Sequence, residues 1–201
     1  MAELKSVCVY CGSAKGNNPA YQAAARALGA ALAREKIRLV YGGGGIGMMG
    51  EVARAVESAG GKVLGIIPDF LVAREHAEQG AREILTVRDM HERKRTMFER
   101  ADAFVALPGG VGTLEELVEQ LAWLQLGRHK KPVLLANVLG FWNPLLALFK
   151  HLDAEGYLYN GPHYLVADRI EDVIPKLRSA LASVSDAELR GKAAKAVLEE
   201  M

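Results

Sequence analysis

Short, nearly unbroken apolar runs recur along the chain, at Ser6 to Cys11, Arg38 to Tyr41, Val63 to Ile67, Ala103 to Leu107 and Pro132 to Ala136. Between most of them lie stretches with the spacing of amphipathic helices. A strand that alternates apolar and polar residues can leave one face in water, whereas these runs must be covered on both faces. Helices that connect successive strands supply that cover and pair the strands in parallel. The expected fold class is α/β, a doubly wound parallel sheet with helices on both faces.

Helix boundaries are marked as well. Pro19 can open a helix through the alanine-rich Tyr21 to Glu35, Gly60-Gly61 stops one that runs from Met48 to Ala59, and Pro68 ends the third strand. Further helices are expected at Asp89 to Arg100, Leu114 to Leu126, Asn143 to Glu155, Ile170 to Ala182 and from Asp186 onward, with a short extended piece at Tyr164 to Val166. Asp69 to Arg88 has weak periodicity and is given no element. No linker or repeat interrupts the pattern, and 201 residues, half of them hydrophobic, suffice for one substantial core. A single domain over 1–201 is expected.

With 25 basic and 24 acidic side chains spread along its length, the chain has a formal charge of +1 and no global field for nucleic acid or a membrane surface. Met1 to Lys5 lacks the apolar segment of a secretion signal, and no apolar run is long enough to span a bilayer. The expected location is the cytoplasm, with neither nucleic acid nor membrane as partner. Cys8 and Cys11 formally match C-x-x-C. Three residues apart on a strand they point to opposite faces, and no second Cys or His pair stands at zinc-ligand spacing. They are read as small strand residues, and no metal is expected.

Ligands of a doubly wound sheet bind outside the carboxyl ends of the strands, where the strand order reverses. Three glycine-bearing turns follow strand-like runs, Gly12-Ser13, Gly42 to Gly50 and Gly109 to Thr113, and should gather on that edge. Pro108-Gly109-Gly110-Val111-Gly112-Thr113 leads straight into a helix. Its glycines let backbone N–H groups approach an anion, and the unpaired amides and positive dipole end of the helix favour negative charge. A phosphate is expected there, with Ser13, Gly43 and Gly44 of the other turns in the same crevice. The second turn contains Gly45-Ile46-Gly47-Met48-Met49-Gly50, formally G-x-G-x-x-G, for which Asp69 offers a ribose-binding acid. It follows the second strand rather than the first. A nucleotide- or NAD-binding module without hydrolysis is therefore the alternative, and glycines that only permit close packing are a third reading. A Walker A loop is excluded, since no Gly-Lys-Ser/Thr follows any of these runs.

Glu116 lies one turn into the helix after the phosphate turn. A carboxylate there is either a first-turn residue stabilised by the helix dipole or a group placed beside whatever the phosphate anchors. Leu114, Leu117, Val118, Leu121 and Leu124 read as the buried stripe, with Glu116, Glu119, Gln120 and Trp123 on another face. In the preceding helix, Met90, Met97 and Ala101 can face the core, which keeps Arg93 near the sheet edge. A forked guanidinium suits a phosphate or a carboxylate. The basic triplet Arg93-Lys94-Arg95 also fits a solvated face.

Taken together, Cys11-Gly12-Ser13, Tyr41-Gly42-Gly43-Gly44 with Ile46 to Gly50, Ile66-Ile67-Pro68, Met90-His91-Glu92-Arg93-Lys94 and Pro108 to Glu116 resemble the LONELY GUY (LOG) family, in order and at compatible spacing from about Val7 to Trp142. The resemblance implies a Rossmann-like fold, usually a homodimer, that hydrolyses the N-glycosidic bond of an adenosine 5′-monophosphate, often N6-modified, to the free base and ribose 5-phosphate. By position, Arg93 and Glu116 match the family's catalytic arginine and glutamate, while Glu75, Lys94 and Gly110 to Glu116 match substrate-contacting positions. Val111 and Ala122 depart from the Tyr and Thr of many plant relatives, which bears on the N6 substituent and not on hydrolysis. No cofactor is implied.

The chemistry suits these residues. Cleaving a ribosyl N-glycosidic bond builds positive charge at C1′, which a carboxylate can stabilise while it takes a proton from the attacking water. Glu116 is the candidate, Gly110 to Thr113 would hold the 5′-phosphate, and Arg93 would orient Glu116 or contact the nucleotide. Members of the family have often been labelled lysine decarboxylases. That reaction needs pyridoxal phosphate on a Schiff-base lysine, and no lysine stands out for it.

Overall fold

The computed structural model describes residues 3–73, 83–158 and 163–184. Its elements are β1 (Ser6–Tyr10), α1 (Pro19–Arg34), β2 (Arg38–Tyr41), α2 (Gly47–Ser58), β3 (Val63–Pro68), β4 (Glu83–Val87), α3 (Met90–Arg100), β5 (Ala103–Ala106), α4 (Val111–Gln125), β6 (Val133–Ala136), α5 (Asn143–Ala154), β7 (Leu165–Ala167) and α6 (Val173–Ala182). The strands form one sheet in the order β4-β3-β2-β1-β5-β6-β7, and every neighbouring pair is parallel. Chain order runs outward from β1 on one side and from β5 on the other. The reversal therefore falls between these two strands, where Tyr10 lies opposite Ala106, and their carboxyl ends frame a crevice.

Successive residues of β1 feed different cores. Val7, Val9 and Cys11 pack with Leu28 and Leu32 of α1, Val52 and Val56 of α2 and Leu177 of α6. Cys8 and Tyr10 pack on the other face with Phe104, Met97 of α3, Leu117 of α4 and Trp142. The two cysteines are buried and free, on opposite faces of the sheet as their strand spacing requires. Among the described residues no helix is long and apolar enough to cross a membrane.

Two elements differ from the sequence reading. β4 falls in the stretch that was given no element. It is an edge strand in which Glu83, Leu85 and Thr86 are exposed, so it lacks the two-sided apolar run that marks the others. α4 begins at Val111 and buries Thr113, Leu117 and Gln120, whereas Leu114 and Val118 of the expected stripe face outward and Leu121 and Leu124 are half-buried. The helix carries apolar side chains on two flanks, so hydrophobic spacing alone leaves its rotation open. The helix expected from Asp186 onward lies outside the described residues.

Helix ends fix the phase of α3. The Asp89 carboxylate accepts from the Glu92 amide at 2.8 Å, and the Glu92 carboxylate accepts from the Arg88 amide at 2.9 Å, a reciprocal cap that starts the helix and turns Arg93 inward.

His129, shortly before β6, is buried against Phe98 and Phe104, and its Nδ1 accepts from the Lys131 amide at 3.1 Å. Burial, reinforced by the Lys131 charge, pushes its pKa down to about 4. The unfolded value is about 6.5, so the folded chain binds fewer protons between the two. The contribution of the neutral ring is full above the upper value and is lost as pH falls toward the lower. Melting followed by circular dichroism should therefore decline across this window more steeply in the parent than in His129→Phe; parallel curves would clear His129 of any part in acid unfolding.

Candidate active site

Four segments meet at the carboxyl edge of the sheet: the turn after β1, the turn after β2, the turn from β5 into α4, and the inward flank of α3. They enclose a cavity of about 230 Å³ whose walls include Ser13, Gly42, Met49, Met90, Arg93, Gly110 to Thr113, Glu115 and Glu116, over a floor of Val9 and Cys11. The N-cap of α4 is Gly110, which has no side chain to cap the helix, so the first amides of α4 lack a side-chain acceptor from that residue. Thr113 is buried in the same wall.

Backbone hydrogen bonds join the turns. The Gly12 amide donates to the Pro108 carbonyl at 3.2 Å, and the amides of Met48 and Met49 donate to the Gly12 carbonyl at 3.0 and 3.3 Å. The opening amides of α2 are thus already committed to the neighbouring turn. Gly47, at φ 58°, packs so close to Ser13 that a Cβ would lie 2.1 Å from the Ser13 carbonyl oxygen. The Gly45 to Gly50 motif serves close packing of two turns, which leaves a dinucleotide pyrophosphate without its usual amides. Asp69 is exposed, its carboxylate accepting from the Phe70 amide at 2.7 Å.

Arg93 is 6% exposed. Its Nε donates to the Ile66 carbonyl at 3.2 Å, its Nη2 to the Gly42 carbonyl at 2.8 Å, and its Nη1 lies 3.7 Å from Met90 Sδ. The guanidinium is therefore pinned between the ends of β2 and β3 with the cavity in front of it. Glu116, half-buried, lines the same cavity from the first turns of α4. Below it, burial and then the Glu116 charge push the Cys11 thiol pKa far up; both act in the same direction on Cys8 and Tyr10 on the other face of β1, so all three stay neutral. Lys94, next to Arg93, turns to α4 instead, where its ammonium pairs with the Glu115 carboxylate and with Glu119 Oε1 at 2.9 Å.

Comparison with known proteins identifies the family. A family model described as “Possible lysine decarboxylase” matches residues 49–177. The cytokinin riboside 5′-monophosphate phosphoribohydrolase LOG of Oryza sativa subsp. japonica is 51% identical over 189 residues, 90% of this chain and 78% of that protein. LOG7 of Arabidopsis thaliana, named for the same activity, is 50% identical over 157 residues, 78% of this chain and 72% of its own. The chain belongs to the LOG family. Among solved structures, the Moco carrier protein of Chlamydomonas reinhardtii superposes with TM-score 0.69 at 22% identity, over 90% of this chain and all of that one, a likeness of fold alone. The structural-genomics target TM1055 gives 0.66 at 27% identity, over 88% and 99%.

For this LOG-family chain the fold brings Ser13, Arg93, Gly110, Val111, Gly112, Thr113 and Glu116 to one cavity. Gly109 borders an adjoining cavity of about 480 Å³ that shares Ser13 and Gly110 with the first. Gly43 packs on Ile66 and Ile67 of β3, and neither it nor Gly44 is among the lining residues. Glu75 lies outside the described residues. Gly42, Met49 and Met90 were not singled out for the site by sequence. Met90 stands one turn before Arg93, a signal that would have placed it on the same flank rather than in the core.

Proposed function

We propose that the chain hydrolyses the N-glycosidic bond of AMP or an N6-substituted AMP, releasing the free base and ribose 5-phosphate. The observation that carries this reading is the facing of Arg93 and Glu116 on one cavity whose wall is the start of α4. In it, the amides of Gly110 to Thr113, the Thr113 hydroxyl and Ser13 receive the 5′-phosphate. The anchored sugar then presents C1′ to Glu116. As the C–N bond breaks, its electron pair leaves with the base, which takes a proton from solvent to become the free base; the carboxylate stabilises the positive charge at C1′, and water adds there as it gives a proton to Glu116, which later returns it to solvent. Arg93 holds the carboxylate and nucleotide in register. General-base help of this kind is worth about 10²- to 10⁴-fold, and the phosphate anchor adds a positional factor. Gly43, Gly44, Glu75 and Gly109 complete the proposed substrate contacts by family position, whereas Lys94, expected among them from sequence, is paired with Glu115 and Glu119; neither metal nor organic cofactor is called for.

The proposal extends to a cytoplasmic homodimer without nucleic-acid or membrane partners. Its support is the outward flank of α4 and the turn after it, where Val111 (84%), Leu114, Val118 and Leu126 (74%) expose apolar surface that a second copy can cover.

Incubation with AMP and with isopentenyl-AMP, no cofactor added, followed by chromatography, should yield adenine or isopentenyladenine with equimolar ribose 5-phosphate. Intact nucleotide at the end would reduce the chain to a binding module, and cadaverine formed from lysine would replace the reading altogether.

A further inference from the structure

Three carboxylates of α4 stand within one turn: Glu115 and Glu116 are adjacent, and Glu119 lies a turn beyond both. Opposite them α3 sets two cations, Arg93 in the cavity wall and Lys94 beside it. The Lys94 side chain is only 13% exposed, held by the Glu115 carboxylate and by Glu119 Oε1 at 2.9 Å. Glu119 Oε2 is buried with no hydrogen-bond partner among the described residues, which leaves Lys94 as the cation that balances this carboxylate. Burial pulls the Lys94 pKa down, yet the hydrogen bonds to Glu115 and Glu119 outweigh it, and the group stays charged.

We propose that Lys94 is a positioning residue: it braces α3 against α4 and neutralises the acidic flank of Glu116, rather than binding the nucleotide. The inference rests on the reading of Glu116 as the ionised carboxylate of the reaction. Among the described residues, the groups around Glu116 include Arg93 across the cavity, Cys8 and Tyr10 from β1, Cys11 just beyond it, and Glu115 and Glu119 on its own helix, the last two paired with Lys94 of α3. Cys8, Cys11 and Tyr10 are held neutral, Tyr10 by burial first and then by charges that include both Glu116 and Glu119. Among the described residues, Arg93, Lys94, Glu115 and Glu119 are therefore charges that act on Glu116, and Lys94 ties the two neighbouring carboxylates together.

Steady-state hydrolysis of AMP from about pH 5 to about pH 9 tests this, with melting temperatures recorded for each variant. Lys94→Met removes a positive charge, which favours the protonated form of Glu116 and should move the acid limb of kcat up by about one pH unit. The rate then falls ~10-fold below the limb and little above it, with KM for AMP within about threefold of the parent. Glu119→Gln removes a negative charge and should move the limb down, and the double variant should return it toward the parent position. Mere loosening of the helix pair would lower both single variants alike at every pH, which would overturn the proposal. So would a Lys94→Met enzyme with raised KM and an unmoved limb, the signature of direct nucleotide contact. If Lys94→Met does not fold, the direction of the Glu119→Gln shift decides alone. An inactive Glu116→Gln enzyme with unmoved limbs in these variants would remove only this inference, whereas a fully active one would remove the proposed function as well.

Discussion

The Glu116→Gln variant should fold as the parent does, bind AMP at least as tightly, and release ribose 5-phosphate about 10² to 10⁴ times more slowly. The substitution preserves shape and most hydrogen bonding and deletes one negative charge from a cavity where the Cys11 thiol in the floor is held neutral. Charge at C1′ then develops without its counter-ion, and the attacking water has no base. A phosphate in the same cavity is relieved of a neighbouring anion, so KM should stay level or fall while kcat carries the loss. Circular dichroism confirms the fold, and stopped-time assays of ribose 5-phosphate give the rate. A parent-like kcat would remove Glu116 from the reaction.

Gly42→Ala should lower kcat by about 10²-fold with secondary structure unchanged, though position 42 touches no expected reacting atom. A Cβ there would lie 2.1 Å from Arg93 Nη2 and 3.1 Å from its Cζ. The backbone at Gly42 is outside the left-handed region, so alanine itself is tolerated, and the far end of a side chain is what must yield. The guanidinium then leaves the Gly42 carbonyl, at a cost of about 1–3 kcal/mol for a buried charged hydrogen bond, and the role proposed for Arg93 beside Glu116 is lost with it. By contrast Gly47→Ala, at φ 58° and against a carbonyl, should damage the fold as well. Kinetics on AMP alongside thermal melts separate the two; full activity in Gly42→Ala would show that the pinned guanidinium is dispensable.

The central strands were legible because a strand covered on both faces must be apolar throughout, and Val7 to Tyr10 or Ala103 to Ala106 are buried residue by residue. The same logic hid β4, whose outer residues meet water. It also left α4 unphased, because Leu114 and Val118 on one flank and Leu117 on another satisfy one spacing equally well. At the site, Arg93 and Glu116 were readable from residue type and position. What sequence could not give was direction. Lys94 adjoins Arg93 in the chain, but one step of helical rotation carries it to α4. Gly42 to Gly45 are alike on paper, and only the approach of a guanidinium to the first of them sets it apart.

The hydrogen bonds from Met48 and Met49 to Gly12, and from Gly12 to Pro108, weld the three turns together. In the proposed reaction a cradle tied in this way grips the phosphate of product as firmly as that of substrate, because nothing at that end changes when the glycosidic bond breaks. Binding there is uniform along the reaction, so what it adds to the rate is the positioning of C1′ and not stabilisation of the transition state. Stabilising the charge that develops falls to Glu116 with Arg93, while the rigidity of the welded turns governs how long ribose 5-phosphate lingers before the next nucleotide can enter.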